Sequence, residues 1–460
     1  MRWLFRPFET WLDPFDAGPE RALPKTPGRF IGFFLGQTKW PFIWILIASG
    51  LTGLIEAGLY ASVGIIVDTL RETDPATVWA DYGWMFLAMA FTVLVIRTVA
   101  MSLQTLIGEQ TVVPLVFALV RWQLHRRVLR QSYAYFQDDF AGRIATKVMQ
   151  AGPSIADFLT NLIQGIWQFI IFGALSIALF STLDWRLAVL LVAWFAAYFI
   201  TLYVTIGEIR ERAKVQSQAR ATVNGRLVDS YTNIQTVKLF AGTDREDAFV
   251  REAITDQIEK VTALGRYVTG LRITLNVLSG LLITLTAALG IWLWQSQILS
   301  VGALAATLGL VLRLNHMSGW ISFQINGLFR ELGTIQDTIE TVAREVTVRD
   351  VQNATVLPPA RGPVVFDDVS FSYGRGAAAL HGVSLTIPAG QKIGLVGRSG
   401  AGKTTLTNAL LRLYDLERGA ITIDGQDIAA VTQESLRRNI GVVTQDTSLL
   451  HRSVYDNILY

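Results

Sequence analysis

No cysteine occurs among the 460 residues, which excludes disulfides, thiolate metal sites and cysteine nucleophiles. Histidine is almost as rare, with 4 in the chain. Charge is scarce as well: 17% of residues are Asp, Glu, Lys or Arg, against about 25% in a soluble globular protein. The 40 basic and 37 acidic side chains leave a net charge of +3, too small and too dispersed to hold nucleic acid. A secretory leader is not legible either. Residues 1–16 mix Arg2, Arg6, Glu9, Asp13 and Asp16 with Trp3, Phe5, Phe8, Trp11 and Phe15, and no unbroken apolar core precedes a small-residue cleavage site. Aromatic residues with scattered charges suit a segment in the headgroup region, and a disordered tail fits residues 1–28 equally well.

What the chain has instead is apolar length. Hydrophobic residues make up 51% and the mean hydropathy is +0.38, a membrane-protein composition with room for two domains. A helix needs about 20 apolar residues to cross the hydrocarbon. Six runs meet that length, at 40–68, 84–107, 155–182, 187–206, 268–294 and 298–330. The turns after the first, third and fifth are short and carry only Arg71 and Arg186 as positive charges. The long loop after the second run carries Arg121, Arg126, Arg127, Arg130, Arg143 and Lys147. The one after the fourth is richer still, from Arg210 to Arg266. The positive-inside rule therefore puts both long loops and both termini in the cytoplasm.

Beyond the last run, Pro358, Pro359, Gly362 and Pro363 mark a linker. The expected division is residues 1–39 as tail and interfacial elbow, 40–345 as the six-span domain, 346–363 as linker and 364–460 as a second domain. The second domain contains Gly397, Arg398, Ser399, Gly400, Ala401, Gly402, Lys403, Thr404 and Thr405, which fit G-x-x-x-x-G-K-[ST]. Its glycines let successive backbone N–H groups turn toward phosphate oxygens. Lys403 is expected on the β- and γ-phosphates and the Thr404 hydroxyl on Mg²⁺. The run 392–396 before the loop reads as a buried strand, and 404–413 after it as a helix whose N-terminal dipole favours an anion.

Residues 364–460 resemble the first part of an ATP-binding-cassette nucleotide-binding domain. The G-x-S-G-x-G-K-T-T form of the loop carries the resemblance, with three flanking segments. Residues 364–373 alternate like a strand and end on Tyr373, where the family stacks an aromatic ring on adenine. Residues 421–425 look like the strand and turn after the first helix. Residues 440–445 look like the strand leading to the glutamine loop, so that Gln445 matches the residue that contacts Mg²⁺. The resemblance implies ATP and Mg²⁺ as cofactors. The family's signature sequence, catalytic carboxylate and switch histidine find no counterpart here, and His381 and His451 lie in the wrong places to substitute for the last. No catalytic residue is assigned, and the cassette is expected to be incomplete.

Six spans, two long cytoplasmic loops and a C-terminal cassette resemble an exporter-type half-transporter. The expected fold is thus an all-α six-helix membrane domain followed by a partial α/β phosphate-loop domain. Residues 135–143 and 229–240 look like the two coupling segments of such proteins, and 29–40 like the interfacial elbow. A second half-transporter is implied as partner, by default a second copy, with the lipid bilayer and a hydrophobic or amphipathic substrate (a lipid, lipid-linked molecule or drug). The competing expectation is a catalytically incomplete ATP-binding membrane fragment, or a regulatory partner of a full-length subunit. Within the spans, Glu56, Arg97 and Arg313 are candidate cavity residues, because ionisable groups at such depth are costly and face a partner or a cavity. An intramembrane ion pair and a substrate contact both fit them. Arg272, Asn315, His316, Gln164, Gln168, Asn276, Gln324 and Asn326 are further polar positions in the spans.

Overall fold

In the bilayer, backbone N–H and C=O groups find no water, so a spanning chain satisfies them internally as helix. The computed structural model shows this outcome and describes residues 2–19, 21–240, 243–374, 379–443 and 449–459, leaving aside the side chains of 2, 322, 323 and 326. Its helices before the linker are α1 (Arg2–Glu9), α2 (Pro27–Gln37), α3 (Lys39–Glu72), α4 (Val78–Leu129), α5 (Tyr133–Gln137), α6 (Ala141–Leu183), α7 (Trp185–Thr232), α8 (Ile234–Leu239), α9 (Thr243–Gln295) and α10 (Val301–Val342). Among the described residues, α3, α4, α6, α7 and α9 are long and apolar enough to cross a membrane. The sixth expected run falls in α10, a helix of 42 residues. The elbow expected at 29–40 is covered by α2, with Phe30, Ile31 and Phe34 buried, and the start of α3.

The chain divides into two compact units: Met1–Gln123 with Lys147–Glu340, and Leu124–Thr146 with Thr341–Tyr460. These boundaries differ from the expected ones. The first cytoplasmic loop and the linker both group with the cassette rather than with the spans.

In the membrane unit, Phe169, Phe172 and Phe180 of α6 pack with Leu187, Leu191, Trp194 and Tyr198 of α7, Leu275 and Leu282 of α9, and Leu310 and Leu314 of α10. Even the polar atoms of this core are used: Trp194 Nε1 donates to the Leu278 carbonyl at 3.1 Å. Near the end of α3 the contact with α10 is backbone on backbone. A Cβ on Gly302 would lie 2.1 Å from the Gly64 carbonyl oxygen, so only glycine fits. Asp68 on α3 then caps α10, accepting from Gly302 N–H at 2.7 Å and from the Ser300 hydroxyl at 2.5 Å.

In the cassette unit, β1 (Val364–Phe371), β2 (Leu380–Ile387), β3 (Arg418–Ile423) and β4 (Gln426–Asp427) form an antiparallel sheet in the order β2-β1-β3-β4. Helices α11 (Lys403–Leu410), α12 (Gln433–Arg438) and α13 (Val454–Ile458) complete it. Phe366, Val369, Phe371, Ile421, Leu406 and Leu436 form the core. Arg412 is the internal clasp. Its guanidinium is buried and donates to the carbonyls of Ile428, Val431 and Arg349 at 3.3, 3.1 and 2.9 Å and to Asp415 at 3.2 Å. The Arg349 contact ties the linker into the domain.

Two expected strands do not form. Residues 392–396 and 440–443 have no strand pairing. Val396 and Val443 are each 98% exposed. A central strand needs neighbours on both edges, and among the described residues none lies beside these segments. The rest of the second segment, including Gln445, lies outside the described residues.

Gly302→Ala is expected to destabilise the membrane unit by about 1–3 kcal/mol through overpacking. Thermal unfolding in detergent should show it, with Gly319→Ala as a control, since a Cβ there meets nothing within 4 Å. Arg412→Met should cost the cassette unit about 3 kcal/mol, because it strands buried carbonyls. Limited proteolysis of the full chain should then cut the linker faster.

Candidate functional site

The phosphate loop begins at Gly397 and runs into α11. Gly400 and Gly402 adopt φ of +82° and +84°, a left-handed geometry that L side chains resist. Gly402 is doubly constrained, because a Cβ there would stand 2.7 Å from the Ala379 carbonyl oxygen. Gly402 is also the N-cap of α11, so free N–H groups of the first turn face the loop. Arg398, Ser399, Gly400 and Ala401 are exposed. Lys403 folds back over the loop, with Nζ donating to the carbonyls of Gly397 at 2.8 Å and Arg398 at 2.9 Å. The ammonium is thus held over the concavity where phosphate oxygens would be met. Thr404 is exposed beside it, and Thr405 is buried under the helix. This donor set, with a cation, inward N–H groups and no room for a side chain at Gly402, fits a polyphosphate. A magnesium ion carried by such a group would find a hydroxyl ligand in the exposed Thr404.

Tyr373 lies two residues past β1. Its ring is half exposed, and its hydroxyl donates to Thr405 Oγ1 at 3.2 Å. Edge-to-face contacts fix the ring, with centroids 4.9 Å from Phe371 and 5.2 Å from Tyr414. Tyr414 in turn meets Tyr133 of the first cytoplasmic loop at 6.1 Å. Burial first, and then Tyr373, Tyr133 and Asp138, push the Tyr414 phenol above its ordinary value, so it stays neutral at physiological pH. Sequence reasoning missed Tyr414 and Tyr133, since neither belongs to a motif and only the fold brings them to the loop. The expected first coupling segment is anchored in this same unit. Tyr135 is buried beneath the Arg344 guanidinium, 5.9 Å from its ring centroid, and Ser132 accepts from Thr347 at 2.7 Å. Burial and then Asp139 raise the Tyr135 phenol, while Arg344 opposes them.

The intramembrane candidates do meet. Arg313 donates to Glu56 Oε2 through Nε at 3.1 Å and Nη2 at 2.5 Å, and Arg97 lies 3.8 Å from Glu56 Oε1. Gln324 bonds Asn161 across α6 and α10 at 3.0 Å. Arg272 and His316 are exposed, and the Asn326 side chain lies outside the described residues. A concavity of about 720 Å³ lies along Asp244, Asp247, Arg251 and Glu252 of α9. It is the open face of one helix, far in sequence from the phosphate loop.

Residues 42–315 match the family described as ABC transporter transmembrane region, and residues 380–458 the family described as ABC transporter. An uncharacterized ABC transporter ATP-binding protein of Haemophilus influenzae is 37% identical over 465 residues, covering 99% of this chain and 74% of that protein. ATP-binding cassette sub-family B member 6 of Homo sapiens is 30% identical over 443 residues, covering 90% of this chain and 50% of the human protein. The chain therefore spans about half the length of its human relative. The structure of a bacterial Atm1-family ABC exporter with ATP bound superposes with a TM-score of 0.75 at 25% identity, covering 89% of this chain and 72% of that one.

Tyr373→Ala should weaken nucleotide binding by about tenfold, the scale of one lost ring–base stack. Titration of the purified chain with a fluorescent ATP analogue would register the change, and Tyr373→Trp should restore binding.

Proposed function

This chain belongs to the ABC transporter family, and we propose that it is one half of an ATP-driven exporter that moves a hydrophobic or amphipathic substrate across the membrane. The observation that carries the reading is the phosphate loop, with Lys403 folded over left-handed Gly400 and Gly402, in one chain with long apolar helices. In this reading Tyr373 stacks on adenine and the loop N–H groups and Lys403 hold the phosphates. Thr404, together with Gln445, holds Mg²⁺. Bound ATP supplies the free energy of phosphate binding and hydrolysis. The cassette lies on the cytoplasmic side of the bacterial inner membrane, where ATP is available and where the basic loops belong.

The working unit is a dimer, by default of identical chains, that opens alternately to either side. Ile234 and Leu239 of α8 and Phe240 just after it are exposed, which suits a surface met by a second subunit. The Tyr133–Tyr414–Tyr373 contacts offer a path from the nucleotide site to the first cytoplasmic loop, and Tyr414 is a positioning residue on that path.

Reconstituted into proteoliposomes, the full chain is expected to drive ATP-dependent movement of a fluorescent lipid or hydrophobic dye. Lys403→Ala should abolish it at unchanged protein level. Nucleotide binding without ATP-dependent movement or ATP hydrolysis in the unsubstituted chain would instead favour the regulatory or catalytically incomplete reading.

A further inference from the structure

The N-terminal segment is strapped along α4, and the strap leaves one apolar face uncovered. It is fastened at Phe8, at Phe15 and at residues 16–18. The buried Thr111 hydroxyl donates to the Phe8 carbonyl, near the end of α1, at 2.8 Å. The Phe15 ring meets Trp122 edge-on, with centroids 5.6 Å apart. Gln123 Nε2 donates to the Asp16 carbonyl at 3.3 Å and to Gln37 Oε1, in the last turn of α2, at 2.8 Å. Gly18, at φ +69°, lies so close that a Cβ would stand 2.5 Å from the Gln123 amide.

The strap therefore follows α4 from Thr111 outward to Gln123, and α1 is its end nearest the bilayer. The apolar run of α4 stops at residue 107, and the exposed Glu109 comes just after it. Thr111 is four residues past that run, about 6 Å along a helix. The polar layer on either side of the hydrocarbon is about 5–8 Å deep. The contact with Phe8 thus sets α1 in the headgroup layer, on the side of the first basic loop.

The helical period divides α1 into sectors. Phe5 and Phe8 are half-buried on the side that meets α4. Trp3, Leu4 and Pro7 share the next sector and are exposed, Trp3 to 78% and Leu4 to 44%. Arg6 and Glu9 share the remaining one and are exposed as well. An apolar sector set between a protein contact and a charged sector is the pattern of a helix lying in an interface plane. Tryptophan favours that depth, and Arg6 beside it extends its charged head toward phosphates while its stem stays on apolar surface. Helix α2 is a separate element, with Phe30, Ile31 and Phe34 turned into the protein.

We infer that the Trp3–Leu4–Pro7 face of α1 is a docking surface for the cytoplasmic leaflet, seated where headgroups meet acyl chains. Through Thr111 and Gln123 this anchor fixes the depth of the cytoplasmic end of α4. The inference needs only that α4 crosses the bilayer, and it stands apart from nucleotide binding and from transport.

The lack of cysteine allows one fluorophore to be placed at a chosen residue. The probe is attached to Leu4→Cys and, in a second preparation, to Glu9→Cys, each in the full chain reconstituted into vesicles of phosphatidylethanolamine and phosphatidylglycerol. A lipid carrying a nitroxide near the top of its acyl chain should quench the Leu4→Cys probe several-fold more than the Glu9→Cys probe, and aqueous iodide should give the reverse order. Adding Trp3→Asp places a charge in the apolar sector and should lower lipid quenching of the Leu4→Cys probe several-fold. Equal iodide access at both residues would show α1 in water and overturn the inference. Protection of the Leu4→Cys probe from both quenchers would mean that protein covers the face, a second subunit included, and would also overturn it. So would lipid quenching that persists undiminished with Trp3→Asp, because the probe's own affinity for lipid would then account for it.

Discussion

Inside a bilayer an unpaired backbone amide has nothing to bond with, and most of this structure answers that constraint. The spans are helices of 34 to 53 residues, far longer than the hydrocarbon requires. Ending a helix frees carbonyls and amides, so continuing past the interface is the economical solution. Where ends do occur they are capped, as at Asp184, whose carboxylate accepts from Arg186 N–H at 2.8 Å, and at Asp68 on α10. Side chains then adjust within the rule: hydroxyls such as those of Thr52 and Ser176 bond carbonyls one turn back, at 2.9 and 2.8 Å.

With the backbone satisfied, packing between helices falls to shape. Between α3 and α10 the side chains vanish altogether at Gly64 and Gly302. In the α6, α7, α9 and α10 core, aromatic rings interlock instead, as Phe169 does with Phe195 and Tyr198 at 5.5 and 5.6 Å. Charges are the exception that this environment tolerates least. Their presence at Glu56, Arg97 and Arg313 is therefore more informative than any apolar contact around them.

The cassette unit obeys different physics. It lies in water and coheres through a small antiparallel sheet and the Arg412 clasp. Its grouping with residues 124–146 makes the first cytoplasmic loop part of the nucleotide-site neighbourhood. The aromatic series Tyr133, Tyr414, Tyr373 and Phe371 is the local expression of that grouping. A tyrosine suits this place because an apolar body packs while a polar tip stays satisfied.

Hydropathy alone determined the long membrane helices, because the bilayer leaves helix as the one answer for an apolar run. The phosphate loop was equally legible, since positive φ at Gly400 and Gly402 and the reach of Lys403 are local properties of a short motif. Glu56, Arg97 and Arg313 were legible as costly residues, but their pairing was not. That Glu56 spends one oxygen on Arg313 and stands off from Arg97 depends on how α3, α4 and α10 cross. The strands expected at 392–396 and 440–443 failed for the same reason in reverse. Their residues favour extended backbone, yet a strand exists only when a neighbour supplies its hydrogen bonds. Tertiary structure alone decided the place of Tyr414 and Tyr133, because contacts between residues far apart in the chain leave no periodic trace in it.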